Sequence, residues 1–163
     1  SYYGKQSKND SSLKNRYRLM WMDTKYEPGE VKVVAYDKNG KAVAEKVVHT
    51  AGKPHHIELV ADRNRLRADG KDLAFVTVKV VDKDGNLCPD AQTLIQFRVK
   101  GEGSYRAGAN GNPASLEQFH LPQMHVFNGM MTAIVQSSDK AGKIVLEATG
   151  KGLKKALLTV ETE

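Results

Sequence analysis

Histidine and carboxylate side chains hold metals and move protons, so their spacing decides first what chemistry this sequence could carry. Five histidines are present. His49, His55 and His56 cluster around a Gly/Pro break, Thr50-Ala-Gly-Lys-Pro54, where a zinc-type site would need a carboxylate or a further imidazole from elsewhere in the fold. Neighbouring residues of a strand point to opposite faces, which predicts that His55 and His56 do not share one ion. His120 and His125 flank Leu-Pro-Gln-Met with no helical spacing to align them, and no metal site is expected. The carboxylates are no better placed for acid/base work. Glu27 and Glu30 bracket Pro28-Gly29 in a turn, while Glu45, Glu58 and Glu147 alternate with apolar residues and so belong on the solvent side of strands. A glycosidase needs two carboxyl groups opposed across the bound sugar, and no such pair stands out. The sequence also has no nucleophile elbow, phosphate-cradling loop or dinucleotide fingerprint. Neither catalytic residues nor a cofactor are expected in this chain.

An Asp-Lys-x-Gly pattern begins at Asp37, Asp82 and Asp139. A calcium loop would place a bidentate glutamate at its twelfth position, and the residues there are Val48 and Thr93 for the first two copies. The third copy has Ala141 where a ligand belongs. What remains is an aspartate able to accept backbone N–H bonds, followed by a glycine that tolerates positive φ, with apolar or β-branched flanks. All three copies predict hairpin turns.

The most unusual stretch is residues 103–129, GSYRAGANGNPASLEQFHLPQMHVFNG, a long loop rich in Gly and Asn. Tyr105, Asn110, Asn112, Ser115 and Glu117 could offer a carbohydrate an aromatic face and hydrogen bonds. Alternatively, Asn110-Gly111 and Asn112-Pro113 form turns that bond back to the loop, with Phe119 and Phe127 pinning it to the core. Residues 115–119 suggest a helical turn within it.

These residues must be positioned by a chain of 163 residues with a formal charge of +6, which raises nucleic acid as a partner. The basic residues are scattered, however. Their densest stretches, residues 14–18 and 63–67, alternate charge as one solvated strand face does, and no recognition helix or RNA-binding motif accompanies them. Nucleic acid is therefore not expected as a partner. No apolar run is long enough to cross a bilayer as a helix, and no signal-peptide pattern is present. Cys88 is the single cysteine, so an internal disulfide framework and a multi-cysteine zinc site are excluded.

Period-two patterning dominates, and β-branched residues crowd the segments between Gly and Asp punctuation. Strands are predicted at 17–22, 30–36, 42–48, 56–61, 73–82, 93–99, 129–137, 143–149 and 153–161. The fold class is all-β, with immunoglobulin-like antiparallel β-sandwiches. The break near Lys53 divides the chain into residues 1–54, a partial module truncated at its start, and residues 55–163, a complete sandwich. The earlier part offers about three strands, so its Trp21 and Tyr36 need burial against something more.

Residues 18–54, RLMWMDTKYEPGEVKVVAYDKNGKAVAEKVVHTAGKP, closely resemble the immunoglobulin-like module that follows the catalytic barrel in bacterial family 2 glycoside hydrolases of the β-galactosidase type. The run from Tyr26 to Tyr36 is the most specific portion. Residues 57–91 resemble the next module of those enzymes, itself similar to bacterial adhesin domains, and Ala68 to Leu73 and Phe127 to Ser137 continue the pattern. The chain departs from the family at Asn112 and Ala114, where a carboxylate and a hydroxyl are usual.

The resemblance implies a non-catalytic C-terminal accessory region that acts in carbohydrate metabolism as a spacer, docking or cleft-shaping module. Its partner would be the upstream catalytic barrel of the same parent chain, and the parent could be oligomeric. A bacterial periplasmic, cell-surface or secreted location is implied, without membrane insertion. Two other readings stand beside it: a carbohydrate-binding module using residues 103–129, and an adhesin-like cell-surface interaction domain.

Overall fold

Eleven strands form in the computed structural model, which describes residues 20–21 and 24–163. The strand expected at 17–22 and the basic stretch at 14–18 lie wholly or largely outside the described residues. The architecture is all-β, in three sheets.

The first sheet is a hairpin of β1 (Glu30–Tyr36) and β2 (Ala42–His49) joined by the first Asp-Lys-x-Gly copy. Asp37 Oδ1 accepts the N–H groups of Asn39 and Lys41 at 2.8 and 2.9 Å, and Gly40 adopts φ of 80°. Val31 and Val48 stand opposite each other, as do Ala35 and Ala44, which builds the expected apolar row. Among the described residues, β1 and β2 pair with no other strand. Val31, Val33, Val43 and Val48 consequently remain exposed, and Tyr36, expected to need burial, is 60% exposed. An isolated two-stranded sheet has no second layer to bury its apolar face.

The remaining strands are β3 (His56–Ala61), β4 (Arg65–Leu66), β5 (Leu73–Val81), β6 (Leu94–Gly101), β7 (Gly103–Ala109), β8 (Gln123–His125), β9 (Met130–Ser137), β10 (Gly142–Gly150) and β11 (Ala156–Thr162). They form a four-stranded sheet, β3-β5-β9-β7, and a five-stranded sheet, β4-β11-β10-β6-β8. All the strand pairs are antiparallel except the short parallel one between β11 and β4. Alternation supplies the core: Val76, Val78 and Val80 of β5 and Val135 of β9 face Ile95 of β6 and Ile144 and Leu146 of β10, all inaccessible or nearly so. Burying such aliphatic side chains contributes about 1.5–3 kcal/mol each before the entropic cost of ordering them.

Three expectations need correction. The stretch 103–129 is not one long loop, since its first seven residues are β7 and residues 123–125 are β8. The connection that remains, 110–122, contains no helical turn at 115–119. The third Asp-Lys-x-Gly copy is not a hairpin either. It carries the chain from β9 in one sheet to β10 in the other, Gly142 is absent from the positive-φ residues, and Ser138 Oγ accepts the Lys140 N–H at 3.1 Å.

Candidate functional site

The connection between β7 and β8 gathers four of the five residues singled out for carbohydrate contact. Pro113 and Ala114 occupy the corner of a turn in which the Asn112 carbonyl accepts the Ser115 N–H at 3.1 Å. Asn112 Oδ1 accepts the Ala114 N–H at 3.0 Å, so the side chain repeats the turn locally. Asn110 Oδ1 accepts the Asn112 N–H at 3.0 Å, and Gly111 follows at φ of 74°, a conformation that favours glycine.

Glu117 is the hub. Its Oε1 accepts from both the backbone N–H and the ring Nδ1 of His125, at 3.0 and 2.9 Å, which fixes the proton on Nδ1. Its Oε2 accepts from Ser115 Oγ at 3.3 Å and Asn110 Nδ2 at 3.4 Å. Partial burial pushes the Glu117 carboxyl upward, but the His125 and Ser115 hydrogen bonds outweigh it and hold the group below its ordinary value. Asn110 Nδ2 also reaches the His125 carbonyl at 2.9 Å. Both the N–H and the C=O of His125 are thus met by side chains, as a neighbouring strand would meet them, and this caps the outer edge of β8 against pairing with another chain.

Tyr105 stands apart from this cluster. It lies in β7 opposite Val135, so its ring points between the sheets and stacks on Phe97 of β6, with centroids 5.4 Å apart and planes at 20°. A bulge between Tyr105 and Ala107 shifts the alternation, so that Gly108 is the next inward position. A Cβ on Gly108 would lie 2.4 Å from the Tyr105 hydroxyl, which explains the glycine. That hydroxyl is sealed without a hydrogen-bond partner, and burial pushes its pKa up to about 12. The aromatic face offered in the loop region is instead Phe119, expected to pin the loop and found 60% exposed, with Leu116 and Leu121 of the same loop also exposed. The backbone does the pinning: the Phe119 carbonyl accepts from Gly108 N–H at 2.8 Å, and the Pro122 carbonyl accepts from Phe97 N–H at 2.8 Å. Phe127 is half-buried.

Two features escaped the residue-by-residue reading. His55 and His56 were expected on opposite faces, yet their Nδ1 atoms lie 3.0 Å apart and the rings meet edge to face at 88°. His55 precedes β3, where strand alternation does not yet apply. The pair opens onto a groove lined by Glu58, Lys154, Lys155 and Leu157. Desolvation first, then the charges of Lys154, His56 and Lys83, lower the His55 pKa against the weaker pull of Asp82. The second feature is Asp82 itself, 3% exposed. Besides capping its own turn through the Asp84 and Asn86 N–H groups, it accepts the Gly52 N–H at 2.7 Å and so ties the connection after β2 to the core. Among the described residues, no group of three or more His, Cys, Asp or Glu side chains is arranged to hold a metal ion.

Comparison with known proteins places this geometry. Residues 57–159 match the family model of the glycoside hydrolase family 2 C-terminal domain 5, and residues 1–44 match a domain family of unknown function, DUF4982. The chain is 50% identical over 139 residues to the β-galactosidase BoGH2A of Bacteroides ovatus, covering 85% of this chain and 16% of that protein. It is 27% identical over 157 residues to a β-glucuronidase of Formosa agariphila, covering 94% and 16%. A solved family 2 glycosyl hydrolase of Bacteroides cellulosilyticus superposes with a TM-score of 0.85 at 31% identity, covering 98% of this chain and 20% of that one. The chain therefore spans about a sixth of the length of these two curated relatives, and it belongs to the glycoside hydrolase family 2 C-terminal domain 5 family.

Proposed function

We propose that this chain is the non-catalytic C-terminal accessory region of a bacterial family 2 glycoside hydrolase of the β-galactosidase type, acting as a docking or cleft-shaping module beside an upstream catalytic barrel. The match of residues 57–159 to a C-terminal domain of that family carries the reading. Of the two curated relatives compared, the more similar is a β-galactosidase, which favours that activity for the parent over the glucuronidase named for the other. The carboxylates of the described residues support a non-catalytic role. Glu58 pairs with Lys79, Glu147 with Lys155, and Glu161 and Glu163 with Arg65, while Glu117 accepts from His125, so each of these acids is engaged by a basic or hydrogen-bonding neighbour.

In this reading the chain divides near residue 54, with an immunoglobulin-like sandwich at 55–163 and part of a preceding module at 1–54. The parent acts in the periplasm or at the surface of a bacterium. Determining the polypeptide in which the chain sits tests the proposal: a catalytic barrel N-terminal to residue 1 is the expected result, and a parent built of tandem copies of the same domain would overturn it.

A further inference from the structure

Between Ala107 and Ser138 the sequence holds one Asp, Glu, Lys or Arg, Glu117, although such residues make up 27% of the chain. That one carboxylate is turned inward onto His125, Ser115 and Asn110. The 110–122 connection is fixed to both sheets through Phe119 on Gly108 and Pro122 on Phe97. The side chains of Asn110, Asn112, Ser115 and Glu117 are engaged within the loop or with His125, Gln118 and His120 are exposed, and the large apolar side chains face outward: Leu116 is 97% exposed, Phe119 60% and Leu121 39%. Single exposed apolar residues are ordinary, but three within six positions of a locked loop whose single carboxylate is tied up in hydrogen bonds form a surface of the kind that partners cover. Charge depletion with aromatic and aliphatic anchors is the composition of an interface centre, and a loop already held in place loses little entropy on docking.

We propose that Leu116, Phe119 and Leu121 form the docking surface on which this region seats against another domain of its own parent polypeptide; this rests on the reading above that the chain is part of a longer glycoside hydrolase. The occupant follows from two observations. The loop carries one carboxylate and so little charge to steer a diffusing partner, and a tethered domain needs no steering, because the linkage itself supplies a high effective concentration. This chain also matches only 16% of the length of each of these relatives, so a covering domain is available in the same polypeptide.

Hydroxyl-radical footprinting of the full-length parent tests the proposal, with Leu157 of β11, 60% exposed, as the reference leucine in the same molecule. The expected result is oxidation of Leu116 about tenfold slower than that of Leu157, despite its greater exposure here. Leu116→Asp should raise the oxidation of Phe119 several-fold while leaving Leu157 unchanged. Oxidation of Leu116 as fast as Leu157 in the wild-type chain would overturn the assignment. So would protection that vanishes on dilution to a monomer, which would make the occupant a second copy, or protection that requires added oligosaccharide, which would make the loop a sugar site. A parent without a glycosidase domain would instead sink the functional reading and leave the footprint to be judged separately.

Discussion

The same four-residue turn serves two regions of this molecule under opposite conditions. In the β1–β2 hairpin, Asp37 uses one oxygen to cap its turn, on a sheet whose apolar row meets no second layer. In the two-sheet body, Asp82 repeats those bonds through Oδ1 and then uses Oδ2 to hold Gly52, thirty residues away, and the Asn86 amide. The Gly52 N–H, with help from Asn86 and against the upward push of burial, holds the Asp82 carboxyl at about 2. This motif specifies a local turn, whereas burial and the second oxygen turn it into a long-range tie.

Substitutions in the two regions test that contrast. The largest effect belongs to the core: Ile144→Ala should destabilise by about 2–5 kcal/mol, while Val33→Ala on the open hairpin face should stay within about 0.5 kcal/mol, as chemical denaturation will read. Next, Asp82→Ala should lower the thermal midpoint by several degrees and Asp37→Ala by much less, because the first leaves part-buried N–H groups without an acceptor. The folded Asp82 value lies below the ordinary aspartate value of about 3.9, so the unfolded chain takes up its proton first as pH falls. Stability from this group is complete above about pH 4 and lost on descent toward pH 2, and Asp82→Asn should remove that component of the pH profile.

A smaller effect is expected at the junction of the two regions. His55 should titrate below the ordinary histidine value, and Lys154→Met should move it upward in an NMR titration. Because its folded pKa is lowered, the unfolded state binds the proton first, and the stability it contributes declines as pH falls below about 6.5. Glu117→Gln is expected to cost within about 1 kcal/mol overall while accelerating amide exchange at His125, whose N–H the carboxylate holds.

Most of the strands could be read from alternation: β3, predicted at 56–61, forms over His56–Ala61, and β5, β9 and β10 fall within a residue of their expected bounds. The strands that escaped have physical reasons. β4 and β8 are two and three residues long, too short for a period to show. β7 reads GSYRAGA, and its glycines hide a strand because they answer to crowding: a Cβ at Gly103 would lie 2.5 Å from Ile144 Cδ1. The parallel contact of β4 with β11 joins residues about a hundred positions apart and leaves no local trace. At the candidate site, the turns at Asn110 and Asn112 were legible because their chemistry is local. The bulge that sends Tyr105 inward and the His55–His56 contact depend on neighbours distant in sequence or on where a strand begins.

The most direct test of the account is hydrolysis of an aryl β-galactoside by the purified 163-residue chain, expressed in a host that lacks β-galactosidase. No turnover above the host background is predicted. Turnover that copurifies with the chain and disappears on Glu117→Gln or Glu58→Gln would contradict it, since carboxylates placed here in ion pairs would then be acting on a sugar.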